Sequence, residues 1–413
     1  MTADLHKTEL EAQGFVIKSA REKKGFTQEE LGNLIRPVRV SDRSIRDWET
    51  GKSPNPDHKQ ALVELLELDP TEIGAVQDHI FSRSEAFEYL QGAQFYLDQA
   101  MFTAARIRGE FLLRNLKRQV DNGDTSLTEP YILTLYFLGH TISIASNNPE
   151  WASHLFQKMG EVAADLPEGD HMRPSYLSLA FTYMGEMLRR LEKIDEAIDT
   201  IKKAPQGPDV DILVRGNRAQ LLGRALAESS DAVRSESDEA LQKKADLKKA
   251  ALQQEALQQL SRALDLASPD FKGERYNTDT YVCFNLCSVH EEYARFYMHH
   301  NNMAKSFEHI ELAEKYVSLA QRWRIPVLFT KAEWYIRQAI MNSFIQLVDR
   351  TASKEFRMGM DLLEEAINLA RKSGHYRQLW RARQISSLLD HLAAEVSGAA
   401  RQVNKMLDGD AKY

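Results

Sequence analysis

Phe26-Thr27-Gln28-Glu29-Glu30-Leu31, followed by Val40-Ser41-Asp42-Arg43-Ser44-Ile45-Arg46-Asp47-Trp48-Glu49-Thr50-Gly51-Lys52, reads as two short helices in succession. Thr27 is the N-cap of the first, and Glu30 at its third position completes a capping box, with Phe26 stapling onto Leu31. Gly25 stops the preceding helix, because glycine enters the left-handed region without a Cβ clash. Leu31, Leu34 and Ile35 recur at helical spacing, as do Ile45 and Trp48, so each segment has an inward face. Gly51 closes the second. Such a pair lays one helix across a DNA backbone and the other in the major groove. Gln28 sits in a first turn, where its amide and the free backbone N–H groups meet a phosphate. Asp42, Arg43 and Ser44 form the first turn of the second helix, with Arg46 and Asp47 one turn on. Arg43 is the candidate for a bidentate contact to guanine. Gln28, Lys52 and Lys59 are the candidates for phosphate contacts.

The residues from Ile17-Lys18-Ser19-Ala20-Arg21 through Thr27-Gln28-Glu29-Glu30-Leu31 and Val40-Ser41 to Ile45-Arg46-Asp47-Trp48-Glu49-Thr50-Gly51-Lys52 resemble the phage-repressor, Cro-like (XRE) helix-turn-helix family. Pro54 and Pro56 follow, then Leu62, Leu65, Leu66 and Leu68 as the closing helices. The resemblance implies a five-helix DNA-binding domain over residues 1–75. One departure stands out. Arg36-Pro37-Val38-Arg39 fills a turn that the family usually makes about three residues shorter, so the second helix is expected to enter the groove at a shifted angle.

Length and charge agree with a small reading head on a larger body. At 413 residues the chain exceeds one ordinary core, which points to several domains or a repeat array. The formal charge is −7, against a general nucleic-acid coat. Residues 14–60 carry ten basic and seven acidic side chains, a local +3. That is what a site-specific binder needs, and also what a solvated mixed-charge surface gives. The two cysteines, Cys283 and Cys287, make no disulfide framework and fit a reducing compartment. The first residues are polar and no apolar run spans a bilayer, so a cytoplasmic protein without membrane contact is expected.

Beyond a linker at 76–83, residues 84–413 show helical spacing throughout and breakers at intervals of one helical hairpin. In Tyr176 to Pro205, the small residues Gly185, Ala197 and Ala204 are spaced by twelve and seven. This spacing resembles a tetratricopeptide (TPR) repeat, whose paired helices approach closely at small residues. Phe181, Met184, Leu188 and Ile201 would pack around them. Gly92 with Ala104, and Gly139 with Ala152, suggest further units. Ala294 and Ala313 fit another, with Ser306 replacing the middle alanine. Repeats over 326–373 and 376–407 are more degenerate, and about seven hairpins are expected in all. The polar segment 229–255 is either a loop running into an extended solvated helix or a partner-binding arm. The expected fold is all-α: the helix-turn-helix domain, then a TPR-like right-handed superhelix whose first helices line a concave groove.

Counting from the small residues points particular side chains at that groove. Around Gly223 they are Asn217, Gln220 and Arg224. Around Ala294 they are Ser288, Glu291 and Arg295, with Asn285 one turn earlier, and around Gly185 they are Thr182, Glu186 and Arg189. An asparagine amide offers donor and acceptor together, which an extended peptide backbone requires; each asparagine would equally serve on a solvated helix face. Arg215, Arg218 and Arg224 would hold a peptide carboxylate or form salt bridges between helices. The domain order, chain length and groove asparagines resemble the RRNPP peptide-pheromone receptors of bacteria and their phages. The resemblance implies a homodimeric, cytoplasmic transcription regulator that binds an operator in double-stranded DNA and a short imported peptide, in the manner of quorum sensing.

Catalytic signatures are missing from the sequence. It has no phosphate-binding glycine loop and no nucleophile elbow. His290-Glu291-Glu292 lacks the second histidine of a zinc protease. Cys283, Cys287 and His290 share one helix face at metal-ligand spacing, but that face packs on the paired helix and a fourth ligand is not evident. No enzyme, cofactor or metal is expected. The alternative function is a scaffold regulator, whose array binds a protein partner while the small domain tethers DNA or dimerises. A third possibility is a helix-turn-helix that has lost DNA binding through its long turn.

Overall fold

The computed structural model describes residues 2–36, 39–68, 73, 79–145, 148–233, 239–267, 278–318, 320–346, 353–373 and 375–390. Among them there is no β-strand, and the protein is all-α. The chain divides into two compact units, Met1–Thr141 and Ile142–Tyr413.

The first unit opens with α1 (Thr2–Lys23), α2 (Gln28–Leu34), α3 (Asp42–Glu49) and α4 (Pro56–Leu66). The expected capping box is present: Glu30 N–H donates to Thr27 Oγ1 at 3.1 Å, and Thr27 N–H donates to Glu30 Oε2 at 2.8 Å. Gly25 has φ of 73°, so it does end α1. Ile17, Leu31, Ile35, Ile45, Trp48 and Leu62 are buried together with Ile73. Trp48 lies against His58, ring centroids 5.1 Å apart. Of the stretch expected to hold the fifth helix, only Ile73 falls within the described residues. Pro37 and Val38 of the long turn lie outside them as well, and so do 76–78 of the expected linker.

Helices α5 (Arg83–Asp98) and α6 (Phe102–Asp121) belong to the same compact unit, and α7 (Thr128–Ala145) crosses its boundary. The reading of the sequence divides the chain at 76–83; compactness divides it at 141/142. The reason is local: α4 packs on α6, and Glu64, Tyr89, Tyr96 and Arg108 form a buried polar cluster across that contact.

The second unit contains α8 (Pro149–Ala164), α9 (Arg173–Arg190), α10 (Ile194–Lys203), α11 (Ile212–Asp231), α12 (Glu239–Ala267), α13 (Thr278–His299), α14 (Met303–Val317), α15 (Arg324–Gln346), α16 (Lys354–Ser373) and α17 (Tyr376–Asp390). Neighbours in sequence pack as pairs: α9 with α10, α11 with α12, α13 with α14, and α15 with α16. The alternate helices α9, α11, α13, α15 and α17 also adjoin one another in that order. Ser306, which stands where a small apolar residue was expected, is buried and donates its hydroxyl to the Ala294 carbonyl at 2.8 Å. Within 229–255, residues 229–231 end α11, residues 234–238 lie outside the described residues, and 239–255 belong to α12, whose Leu241 and Leu247 are exposed. Of the last expected repeat, residues 391–407 are likewise outside. Cys287 is buried, 3.5 Å from the Ala313 carbonyl, and His290 stacks on Tyr316, so the face carrying both is a packed one. Among the described residues no helix is long and apolar enough to cross a membrane.

Candidate functional site

The candidate nucleic-acid face is built on α3. Ser41 caps it, accepting from Ser44 N–H at 3.2 Å, which leaves the first turn exposed. Gln28, Asp42, Ser44, Arg46, Asp47 and Lys52 are held by neighbours, Ser44 Oγ lying 3.1 Å from Ser41 Oγ. Gln28 donates its amide to Glu49 Oε2 at 2.7 Å instead of standing free at the helix start. Arg21 of α1 donates to the other oxygen of Glu49 at 2.5 Å. Glu49 therefore ties three helices together, a role that spacing did not reveal. Lys52 reaches Asp47 at 2.7 Å, and this hydrogen bond holds the Asp47 carboxyl below its ordinary range. Arg46 lies 3.5 Å from Asp42. Lys59 is half-buried in the first turn of α4. Arg43 is exposed, and no hydrogen bond or ion pair engages its guanidinium among the described residues.

The second candidate site lies along the alternate helices of the second unit. Asn217 of α11 and Asn285 of α13 are half-buried, and among the described residues no hydrogen bond occupies either amide. The other expected groove residues are mostly sequestered. Arg218 turns away toward α10, donating to the Ile201 carbonyl at 3.1 Å and the Lys202 carbonyl at 3.4 Å. It satisfies the end of that helix, where carbonyls lack partners. Gln220 is buried and donates its amide to Ser288. Arg215 is half-buried at the mouth of a cleft lined by Asp170, Ser175, Asp209 and Asp211.

Arg224, Glu291 and Arg295 belong to an ion network that the sequence did not disclose. Glu186 of α9 takes Arg189 at 2.8 Å, Arg190 at 3.2 Å, Arg224 at 3.3 Å and Arg377 of α17 at 3.4 Å. Arg189 also holds Glu228 at 2.6 Å. Arg224 pairs in addition with Glu292, to which Arg295 stands at 4.0 Å. Arg381 of α17 reaches Glu291 at 3.0 Å and Glu333 at 3.8 Å, and Glu333 binds Arg337 at 2.9 Å. Burial opposes the charge of Glu186, but Arg189 and Arg224 overcome it and hold its carboxyl well below the usual range. Burial lowers Arg224 to about 10, with Arg189 and Arg295 adding to the fall against the pull of Glu186. Spacing placed several of these residues on one face; it could not show that α17 brings two more arginines to it.

Comparison with known proteins bears on the first site alone. Residues 17–73 match the family model described as helix-turn-helix. No curated protein matches the chain. Among solved structures, the chain is similar to Bacillus thuringiensis PlcR, solved in complex with the peptide PapR7 and DNA. Identity is 13%, coverage is 76% of this chain and 96% of that one, and the TM-score is 0.37.

Proposed function

We propose that this protein is a DNA-binding transcription regulator whose helical array senses a short peptide. The observation that carries the first half is the exposed, Ser41-capped start of α3 with Arg43 unengaged, inside a segment that matches the helix-turn-helix family. The long turn from Arg36 to Arg39 keeps the capping of both helices, so the family's docking mode is open to it. The array half rests on the two unoccupied asparagine amides, one on each of two adjoining helices. On this reading the paired helices are TPR-like repeats, the protein acts in the cytoplasm as a homodimer, and two heads read a palindrome whose half-sites lie about 34–36 Å apart or a multiple of that. Peptide binding shifts the population of states that hold DNA, by no more than its preference between them.

The test is selection of bound DNA from a random pool, followed by gel shift and light scattering with peptides of about five to ten residues. A selected palindrome, a dimer on it, and a peptide whose effect weakens in Asn217→Ala or Asn285→Ala support the reading. Absence of any selected sequence removes the DNA half. Normal peptide response in both variants removes the asparagine assignment.

A further inference from the structure

We infer that the arginine-rich face of the second unit binds a carboxylate-bearing peptide, with Arg295 of α13 and Arg377 of α17 as the contacts that reach solvent. This deepens the peptide-sensing reading and rests on it. The first observation is charge balance. Among the described residues, two neighbouring groups of ion pairs join seven arginines to five glutamates, and Arg224 and Arg295 act on Glu291 across them. Asp231 hangs on their rim through His299, which stands 4.0 Å from Glu333 and 3.4 Å from Asp231, and counting it still leaves positive charge in excess. Uncompensated charge away from water is costly, and an anion of one or two charges removes the cost.

The second observation is spare donors. Among the described residues, the Nε groups of Arg224 and Arg295 are sequestered without a hydrogen-bond partner, and the Arg224 side chain is only 8% exposed. Burial and the nearby Arg190 push the Arg377 guanidinium well below its ordinary value, so its charge is under strain where it stands. The third is access. Arg295 and Arg377 retain 22% and 24% exposure, so an anion reaches them without unfolding the array.

The anion is a small carboxylate and not a polyanion. Glutamates alternate with the arginines and would repel a phosphate chain, while the excess is one or two charges. A carboxylate accepts a guanidinium fork through two parallel bonds. Asn285 lies on the same helix as Arg295, and Asn217 on the same helix as Arg224; their free amides suit the backbone of the segment carrying the carboxylate.

The experiment uses the full chain without DNA. Thermal unfolding is followed in sodium succinate and in sodium chloride at equal ionic strength. Calorimetry then uses alanine pentapeptides ending in glutamate acid, glutamate amide or lysine amide. We expect succinate to raise Tm more than chloride in the wild type, and Arg295→Gln/Arg377→Gln to lose that difference. We also expect at least tenfold weaker binding of the acid peptide by the variant, and discrimination of acid over lysine amide by the wild type. The acid and amide glutamate peptides separate capture of a chain end from capture of a side chain. The wild-type comparison needs no variant to fold: equal Tm in succinate and chloride overturns the inference. So does a peptide preference unchanged in the double variant. Carboxylate binding that leaves DNA retention untouched keeps this inference and removes peptide gating. A gating peptide indifferent to Arg295 and Arg377 does the reverse.

Discussion

The guanidinium of Arg108 on α6 lies 2.7 Å from the carboxylate of Glu64 on α4, and both side chains are sealed from solvent. Gln60 donates to the same carboxylate at 3.1 Å, the Tyr89 hydroxyl donates as well, and Arg108 Nε donates to the Tyr89 carbonyl at 3.0 Å. Arg36, from the long turn, lies 4.0 Å over the Phe95 ring, and the Tyr96 hydroxyl donates to the Leu34 carbonyl at 3.3 Å. Helices α2 and α4 are thereby joined to α5 and α6 by desolvated, directional contacts.

Removing one partner of that pair leaves a buried charge alone. Arg108→Met and Glu64→Leu should each destabilise the first unit by about 3–5 kcal/mol. The double variant should recover much of the loss, because replacing a buried pair with apolar groups is far cheaper than halving it. Urea unfolding of the three variants gives the coupling energy. Additive losses would show that the pair does not act as a unit.

At the DNA face, Arg43→Ala should relax base preference by about 1–3 kcal/mol at one position. Lys52→Ala tests a different point. Lys52 is paired with Asp47, so its removal frees a carboxylate on the proposed DNA face. Binding to all sequences should weaken alike, and Asp47→Ala/Lys52→Ala should restore part of it. Gel shifts over a salt series separate the two, since only the lysine changes should act equally on every sequence.

His290 is buried and His309 half-buried against it, with their Nδ1 atoms 3.0 Å apart. Burial and the neighbouring His309 lower His290 from 6.5 to about 4, and burial lowers His309 as well. Between pH 6.5 and about 4 the unfolded chain therefore binds a proton that the folded chain refuses at His290. Stability falls as pH falls through this window and levels off below it. The contribution of His290 is about 3 kcal/mol. His290→Gln should flatten the dependence by roughly one proton in a denaturation series across that range. An unchanged slope would place the titration elsewhere.

What the sequence revealed, and what it concealed, follows from the range of each interaction. The capping box of Thr27 and Glu30 spans three residues, and the inward faces of α2 and α3 follow from helical period, so both were legible. Gly92 was legible as a small position, but the object it admits was not: a Cβ there would meet Arg108 Nη2 at 2.8 Å. Arg108 and Glu64 are 44 residues apart, and Arg377 and Glu186 are 191 apart. Arginines and glutamates at helical spacing read as solvated faces until the packing of distant helices is known. For the same reason Gln220, read as a groove residue by counting from Gly223, is seen to bond Ser288, and Arg218, read as a candidate for a peptide carboxylate, to bond the end of α10.

Gly185 gives a test of the array's packing that is independent of any ligand. It lies where α9 meets α10, and a Cβ placed on it would meet Ile201 Cγ1 at 2.4 Å and the Ala197 carbonyl oxygen at 2.9 Å. The isoleucine can move in part; the carbonyl belongs to backbone and moves only with α10. Gly185→Ala should therefore destabilise the second unit by about 1–3 kcal/mol, although alanine is the better helix former. Ile201→Ala alone opens a cavity and should cost about 2–5 kcal/mol. Combined, the added methyl occupies part of the space the isoleucine vacates, so the double variant should lose less than the sum of the two. A double-mutant cycle by chemical denaturation reads that coupling directly. Strict additivity, or a stabilising Gly185→Ala, would mean that α9 and α10 do not pack through this glycine.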